Sequence, residues 1–315
     1  MEIDKNNAKL LVQLDKNARV SLTQLAKRLR LSKQVVSYRI KKLEEQGVIA
    51  GYYPLINTVA LGYTNYRVYI KFRTTTQQLR NEIIKNLCDN KDVWAVVRFT
   101  GTWDVALGIS VKHPYDIHRV LQNIQQQHTK HIHELQTHLY GPITYFPKTF
   151  ISEAKSDVEW KLDQSVEYQA DETDMIILRL LAKNAKTPLT ELADNANIAI
   201  ETARQRLKKL EKANVIQGYR PIINLSTLGY EYYKTEITLT RHDQKASIYA
   251  FCKQHPNITE IDDNIGGADL EFVVQCKGLK EFLEVMNAFE TQFPDLIETY
   301  TYLTVLKEEK LVYLP

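Results

Sequence analysis

Residues 4–63 and 171–230 align without a gap at an offset of 167, and about 25 of those 60 positions are identical. Leu22-Thr-x-Leu25-Ala26 returns as Leu189-Thr-x-Leu192-Ala193. Lys41-Lys42-Leu43-Glu44 returns as Lys208-Lys209-Leu210-Glu211, and Leu61-Gly62-Tyr63 as Leu228-Gly229-Tyr230. The remainder of each copy matches more weakly, with Gly101-Thr-Trp-Asp104 set against Gly266-Gly-Ala-Asp269. This period is too long for a solenoid repeat and describes a duplicated unit of about 160 residues, itself divisible in two. The expected organisation is a helix-turn-helix domain over 1–64, an α/β domain over 65–151, a polar linker over 152–170, a second helix-turn-helix over 171–231 and a second α/β domain over 232–315.

The first half of each unit reads as three short helices. Asp4 can cap the first, whose apolar stripe is Ala8, Leu10, Leu11 and Leu14. Ser21-Leu-Thr-Gln24 has the form of a capping box and opens the second. Ser32 can cap the third, with Val36, Ile40 and Leu43 as its core face and Gly47, or Asn214 in the second copy, as a left-handed stop. The opposite face carries Gln34, Tyr38 and Lys41, flanked by Lys33, Ser37, Arg39 and Lys42. These are side chains that reach phosphates and base edges, so double-stranded DNA is the expected partner. Val48 to Ile56 is β-rich with Gly and Pro punctuation and reads as a hairpin or wing.

The two copies differ in charge. Residues 23–44 hold seven cations against one carboxylate, a net +6, whereas residues 190–211 hold four of each. Ser32 becomes Ala199, and Lys33-Gln34 becomes Ile200-Glu201, leaving Arg204, Gln205 and Lys208 as the second copy's DNA candidates. A carboxylate at the entry end of a recognition helix repels phosphate, so most DNA affinity is expected from the first copy.

From Tyr66 the apolar period changes to two. Strands over 66–72, 93–99, 105–111 and near 131–140 alternate with helices carrying Leu79, Ile83, Ile84 and Leu87, and Ile117, Val120, Leu121 and Ile124. The order is βαββαβ, and the second copy repeats it over 232–240, 245–254, 258–265, 269–276, 279–291 and 296–306. The fold class is α+β. One face of such a sheet is covered by its helices and the other needs a partner, which the second copy can supply within the chain; further association into a homo-oligomer stays open.

A basic helix-turn-helix, then Gly47-Val-Ile-x-Gly51-Tyr52, then Leu61-Gly62-Tyr63, then a βαββαβ module with Gly-x-x-Asp between its middle strands together resemble the Lrp/AsnC (feast/famine) regulators. The resemblance covers nearly the whole chain, twice over. It implies transcription regulation, pairing through the α/β modules, and an amino acid or similar small effector near Gly101, Trp103, Asp104, Gly266 and Asp269. Trp103 faces Ala268 in the other copy, so two such pockets would be unequal. Gly-x-x-Asp is equally a tight hairpin. The turn of the helix-turn-helix, where that family usually has Gly, holds Arg30 and Asn197 here.

Formal net charge is only +3, so any positive footprint is local. Cys88, Cys252 and Cys276 are too sparse for a disulfide framework or a zinc site. His131 and His133 form a candidate metal or proton-sensing pair within a run of six histidines between 113 and 138, but no ligand-spaced carboxylate or thiol accompanies them. No leader-like start or membrane-spanning apolar run is seen, so a cytoplasmic location is expected. A rival from another class is a haem-biosynthetic tetrapyrrole decarboxylase, a group that resembles this same fold and carries a His-Asn-Tyr-x-Arg motif. That string is missing here, as are a catalytic triad order and a phosphate loop, so neither enzymatic activity nor a cofactor is expected.

Overall fold

The computed structural model describes residues 3–152, 154–164 and 166–314. In the first unit, α1 (Lys5–Lys16), α2 (Leu22–Leu29) and α3 (Lys33–Glu45) precede β1 (Ile49–Ile56). Asp4, Ser21 and Ser32 cap the three helices, their side chains accepting backbone N–H groups of the first turns. β2 (Thr64–Phe72), α4 (Gln77–Asp89), β3 (Val93–Thr100), β4 (Val105–Val111), α5 (Asp116–His128) and β5 (Ile132–Tyr145) follow. A short strand β6 (Trp160–Leu162) lies between the units. The second unit repeats the order as α6 (Glu172–Lys183), α7 (Leu189–Asn195), α8 (Ile200–Lys212), β7 (Ile216–Ile223), β8 (Glu231–Leu239), α9 (Lys245–Gln254), β9 (Ile258–Ile265), β10 (Leu270–Cys276), α10 (Leu279–Gln292) and β11 (Ile297–Leu311).

The turn between α2 and α3 is left-handed without glycine: Arg30 has φ 56° and its counterpart Asn197 has φ 51°. A Cβ is disfavoured there, more for Arg than for Asn. Arg30→Gly is therefore expected to raise stability by about 1 kcal/mol and Asn197→Gly by less. Urea midpoints of the two variants check the ranking.

The expected wing hairpin is not made within a unit. β1 pairs antiparallel with β7 of the other unit, with Tyr53 opposite Arg220 at the centre of the ribbon. Those two residues are themselves equivalent at the 167 offset, so a pseudo-two-fold axis passes between them. Ala18 N–H donates to Tyr219 O at 2.7 Å and Ala185 N–H to Tyr52 O at 2.9 Å, the same contact in both directions. Leu10, Leu11, Leu14, Leu43, Ile177, Leu181 and Leu210 all belong to one core, so the two helix-turn-helix regions form a single body.

The α/β halves go further than face-to-face packing. Strands run in the order β2-β4-β3-β11-β8-β10-β9-β5, and β5 pairs back to β2, closing an eight-stranded antiparallel barrel. Closure depends on the two long last strands. β5 pairs with its own β2 and with β9 of the other unit, and β11 pairs with β8 and with β3. Such closure leaves no edge along the ring. Val68, Ile70 and Phe72 of β2 face outward to α4 and α5, so Arg67 and Tyr69 face the barrel interior.

The polar linker is partly ordered into the structure. β6 extends the sheet beside β5, and Trp160 is buried against Gly218 and Arg220. Residues 153 and 165 of that stretch lie outside the described residues.

Candidate functional site

The outer face of α3 presents Lys33, Gln34, Ser37, Tyr38, Lys41 and Lys42 to solvent, with Tyr38 63% exposed. Lys42 Nζ stands 6.0 Å from the Tyr38 ring, and Lys41 is loosely paired with Glu45 at 3.7 Å. Surface pairs of this kind contribute little and leave both lysines open to a phosphate. Ser32 Oγ accepts the Val35 N–H, so its place is the helix cap. Arg39 turns back toward the domain: its Nη1 donates to Asp4 Oδ2 at 2.7 Å and Asn7 Oδ1 at 2.9 Å, tying α3 to α1. Arg206 repeats this with Asp171 and Asp174. On α8, Gln205 and Lys208 are exposed, Arg204 is paired with Glu201, and Ala199 offers no side-chain cap.

The Gly-x-x-Asp turns close the barrel end away from these helices. Asp104 Oδ2 accepts the Phe72 N–H at 2.8 Å, and Asp269 Oδ2 accepts the Leu239 N–H at 2.7 Å. Phe72 and Leu239 are equivalents at the 167 offset, so both aspartates do the same structural task. Trp103 is buried and stacks on Tyr69 with ring centroids 5.7 Å apart. Gly101 and Gly266 both have positive φ, and a Cβ on Gly101 would meet Leu303 Cδ2 at 3.1 Å. Asp104→Ala and Asp269→Ala are each expected to cost about 1–2 kcal/mol by orphaning a backbone N–H. Equal losses in thermal or urea unfolding would mark a shared structural role.

A cavity of about 620 Å3 opens instead at the other end, between the barrel mouth and the β1–β7 ribbon. Tyr53 and Arg220 of the ribbon both line it. Arg220 donates to Asp15 from Nε at 3.0 Å and from Nη2 at 2.7 Å, and Lys148 N–H donates to Asp15 Oδ2 at 2.7 Å. This buried network joins α1 of the first unit, β7 of the second and the segment after β5. Burial alone would push the Asp15 carboxyl up, but Arg220 and Lys148 outweigh it and hold it below its ordinary value. Burial, with Arg220 beside it, lowers the Lys148 ammonium to about 8.

Deeper in the barrel lies a second charged layer. Lys234 Nζ is 2.6 Å from Asp262, 3.1 Å from Glu260 and 3.1 Å from Glu271. Arg67, its equivalent at the 167 offset, pairs with Glu271 and, at 3.4 Å, with Asp262, and its Nε donates to Tyr140 Oη at 2.6 Å. The carboxylates come from one unit only. Glu260, Asp262 and Glu271 occupy positions held in the first unit by Ala95, Val97 and Ala106. Half of the barrel interior is therefore charged and half apolar. His138 is also inside, 1% exposed, with neither ring nitrogen hydrogen-bonded, and burial lowers it to about 4. The Gly266-Gly267 turn covers it, since a Cβ on Gly267 would collide with the His138 ring. His133 is exposed, and among the described residues no group of His, Cys, Asp and Glu could hold a metal ion.

Residue type and spacing alone do not announce these interior charges. Their signal is nevertheless there: Lys234 and Glu236 on one apolar strand, Glu260 and Asp262 on a second and Glu271 on a third all fall on the face turned from the helices.

Among known proteins, the winged helix-turn-helix DNA-binding family matches residues 3–50 and 171–217. The leucine-responsive regulatory protein of Rhizobium meliloti is 33% identical over 145 residues, which is 44% of this chain and 92% of that protein. The HTH-type transcriptional regulator FL11 of Pyrococcus abyssi is 26% identical over 148 residues, 46% of this chain and 95% of that protein. Fold and exposed helices thus define a DNA-binding transcription regulator of the winged helix-turn-helix class. The chain belongs to the Lrp/AsnC family, in a duplicated form. Among the described residues no helix is long and apolar enough to cross a membrane.

One expectation is corrected by the same comparisons. The lack of a catalytic motif predicts a protein that is no enzyme. Yet the crystal structure of the siroheme decarboxylase NirDL matches this chain from end to end, with a TM-score of 0.65, 13% identity, and coverage of 98% of this chain and 93% of that one. The two-unit architecture is therefore one on which an enzyme is built, and motif absence does not exclude catalysis.

Proposed function

We propose that this regulator binds specific duplex sites chiefly through α3 of the first unit, with residues 1–64 and 171–231 as its DNA-binding parts and residues 65–151 and 232–315 as its sensor halves. The observation that carries this reading is the unequal pair of exposed helix faces. Lys33, Gln34, Tyr38, Lys41 and Lys42 are exposed on one, with Lys41 only loosely paired to Glu45, against Ile200, Glu201 and a paired Arg204 on the other. Lysines give phosphate attraction, while Gln34 and Tyr38 offer base-edge contacts. DNA binding is adjusted by a small effector held in the barrel. The turns at Gly101–Asp104 and Gly266–Asp269 shape the closed end, and the cavity beneath the ribbon offers the room. Recovery of bound genomic fragments tests the reading: one strong half-site beside a weak one supports it, and a perfect palindrome read equally by both units contradicts it.

A second reading is favoured by one observation, the end-to-end likeness to a decarboxylase together with a large internal cavity. A companion structure of that enzyme holds an iron-uroporphyrin III analogue. Loss of carboxyl groups from a tetrapyrrole incubated with the purified chain would select catalysis in the cavity over regulation alone.

A further inference from the structure

We propose that the cavity beneath the ribbon takes one uncharged, planar heteroaromatic molecule per chain, bearing at least one hydrogen-bond donor and one acceptor. This rests on the reading that a small molecule in the barrel adjusts DNA binding, and it names the chemistry of that molecule.

Three features carry it. The first is shape and lining. Tyr53, Trp94, Tyr140, Tyr145, Tyr232 and Tyr313 all face the space, and about 620 Å3 lies within the ordinary range of ligand pockets. At roughly 30 Å3 per water, the same space would otherwise hold about twenty waters, so a free amino acid would leave most of it wet. Gly108 is matched to this lining: a Cβ there would lie 2.5 Å from Trp94 Cε2, so glycine alone lets the indole lie flat on the wall.

The second is charge. The cations that reach the cavity are already answered from within the protein: Arg67 and Lys234 by Glu260, Asp262 and Glu271, Arg220 and Lys148 by Asp15, and Lys307 by Glu309. No cation among these five waits for an anionic ligand, and burial pushes the Glu308 carboxyl, which also lines the space, up toward its uncharged form.

The third is unmet polarity. Trp94 Nε1, a donor, and Gln275 Oε1, an acceptor, are buried without a partner, and both residues line the cavity. Gln275 is only 6% exposed. Buried polar atoms left unpaired are costly, and a ligand offering the complementary pair removes that cost. Because the walls differ between units, the pseudo-two-fold axis does not make two equal sites, which sets the stoichiometry at one.

The test is a titration of the full chain by calorimetry and tryptophan fluorescence with five probes: lumichrome, adenine and benzimidazole as uncharged planar molecules that each carry a donor and an acceptor, haemin as a planar anion, and L-leucine as an aliphatic zwitterion. The expected result is that at least one uncharged planar probe binds once per chain and quenches fluorescence. Trp94→Phe should remove the quench, Gln275→Leu should weaken binding roughly tenfold, and Gly108→Ala should block it by tilting the indole into the space. Failure of all three uncharged probes, two equivalents per chain, tighter binding of haemin or leucine than of every uncharged probe, or an unaltered Gln275→Leu would each overturn the proposal. A labelled duplex titrated in parallel separates the two readings. A planar probe that binds without altering DNA affinity removes the regulatory reading and keeps the ligand class. Leucine alone altering DNA affinity does the reverse.

Discussion

Arg67→Met is expected to lower folding stability by about 3–5 kcal/mol, the range for removing one partner of a buried ion cluster. The guanidinium sits inside the barrel against Asp262 and Glu271, both carboxylates fully buried, and its loss leaves Lys234 to answer three acids alone. Methionine keeps much of the volume, so the effect reports charge rather than a cavity. The double variant Arg67→Met with Glu271→Leu should recover part of the loss, because it removes an orphaned carboxylate along with its partner. The acid limb of stability carries the same information. Burial pushes Asp262 up, but Arg67 and Lys234 outweigh it and hold its carboxyl at about 2, below its ordinary 3.8. A folded-state value below the unfolded one means that the stabilisation is complete above about pH 4 and is lost as pH falls toward 2. In Arg67→Met the loss should begin at higher pH. Urea unfolding of both proteins between pH 2 and 6 measures the shift; superposed curves would show that Arg67 does not hold Asp262.

The second large effect concerns DNA. Exchanging the entry end of α3 for that of α8, by Lys33→Ile with Gln34→Glu, should weaken binding by about 1–3 kcal/mol, or roughly five- to 150-fold. It removes one phosphate-reaching ammonium and adds a carboxylate where the helix meets the groove. The reciprocal pair, Ile200→Lys with Glu201→Gln, should strengthen binding. Deleting residues 1–64 is no substitute for this exchange. That segment supplies β1 to the ribbon and a large part of the shared core, so its removal would unfold the second unit's helices as well. Equal and small effects of the two exchanges would contradict the unequal-units reading.

What the sequence shows and what it hides divide along the range of the interactions. The three helices of each unit, their caps at Asp4, Ser21 and Ser32, and the left-handed stops at Gly47 and Asn214 are local, and each was readable from a few neighbouring residues. The βαββαβ order was readable because apolar period two, glycine turns and helical stripes alternate cleanly. Pairings between units were not. A run such as Val48 to Ile56 carries no mark of whether its hydrogen-bond partner lies four residues or 167 residues away, so the sequence predicts a local hairpin where the structure builds the β1–β7 ribbon. Barrel closure was hidden for the same reason, since it turns on β5 and β11 being long enough to serve two neighbours each. Residue type alone makes Arg39 a DNA contact, but the helical register places it over Asp4 and Asn7. Asp15 sits within an apolar stripe, and only the folded chain shows Arg220 arriving opposite it.

A first-unit α3 seated on DNA is tested most directly by the salt dependence of binding by the full chain. Affinity for duplex DNA, measured between about 0.05 and 0.3 M salt, should fall steeply as bound counterions are released, and Lys33→Ile with Gln34→Glu should lower the slope by about one. A chain with no duplex affinity at the lowest salt, or a slope unmoved by that exchange, would contradict a first-unit α3 seated on DNA.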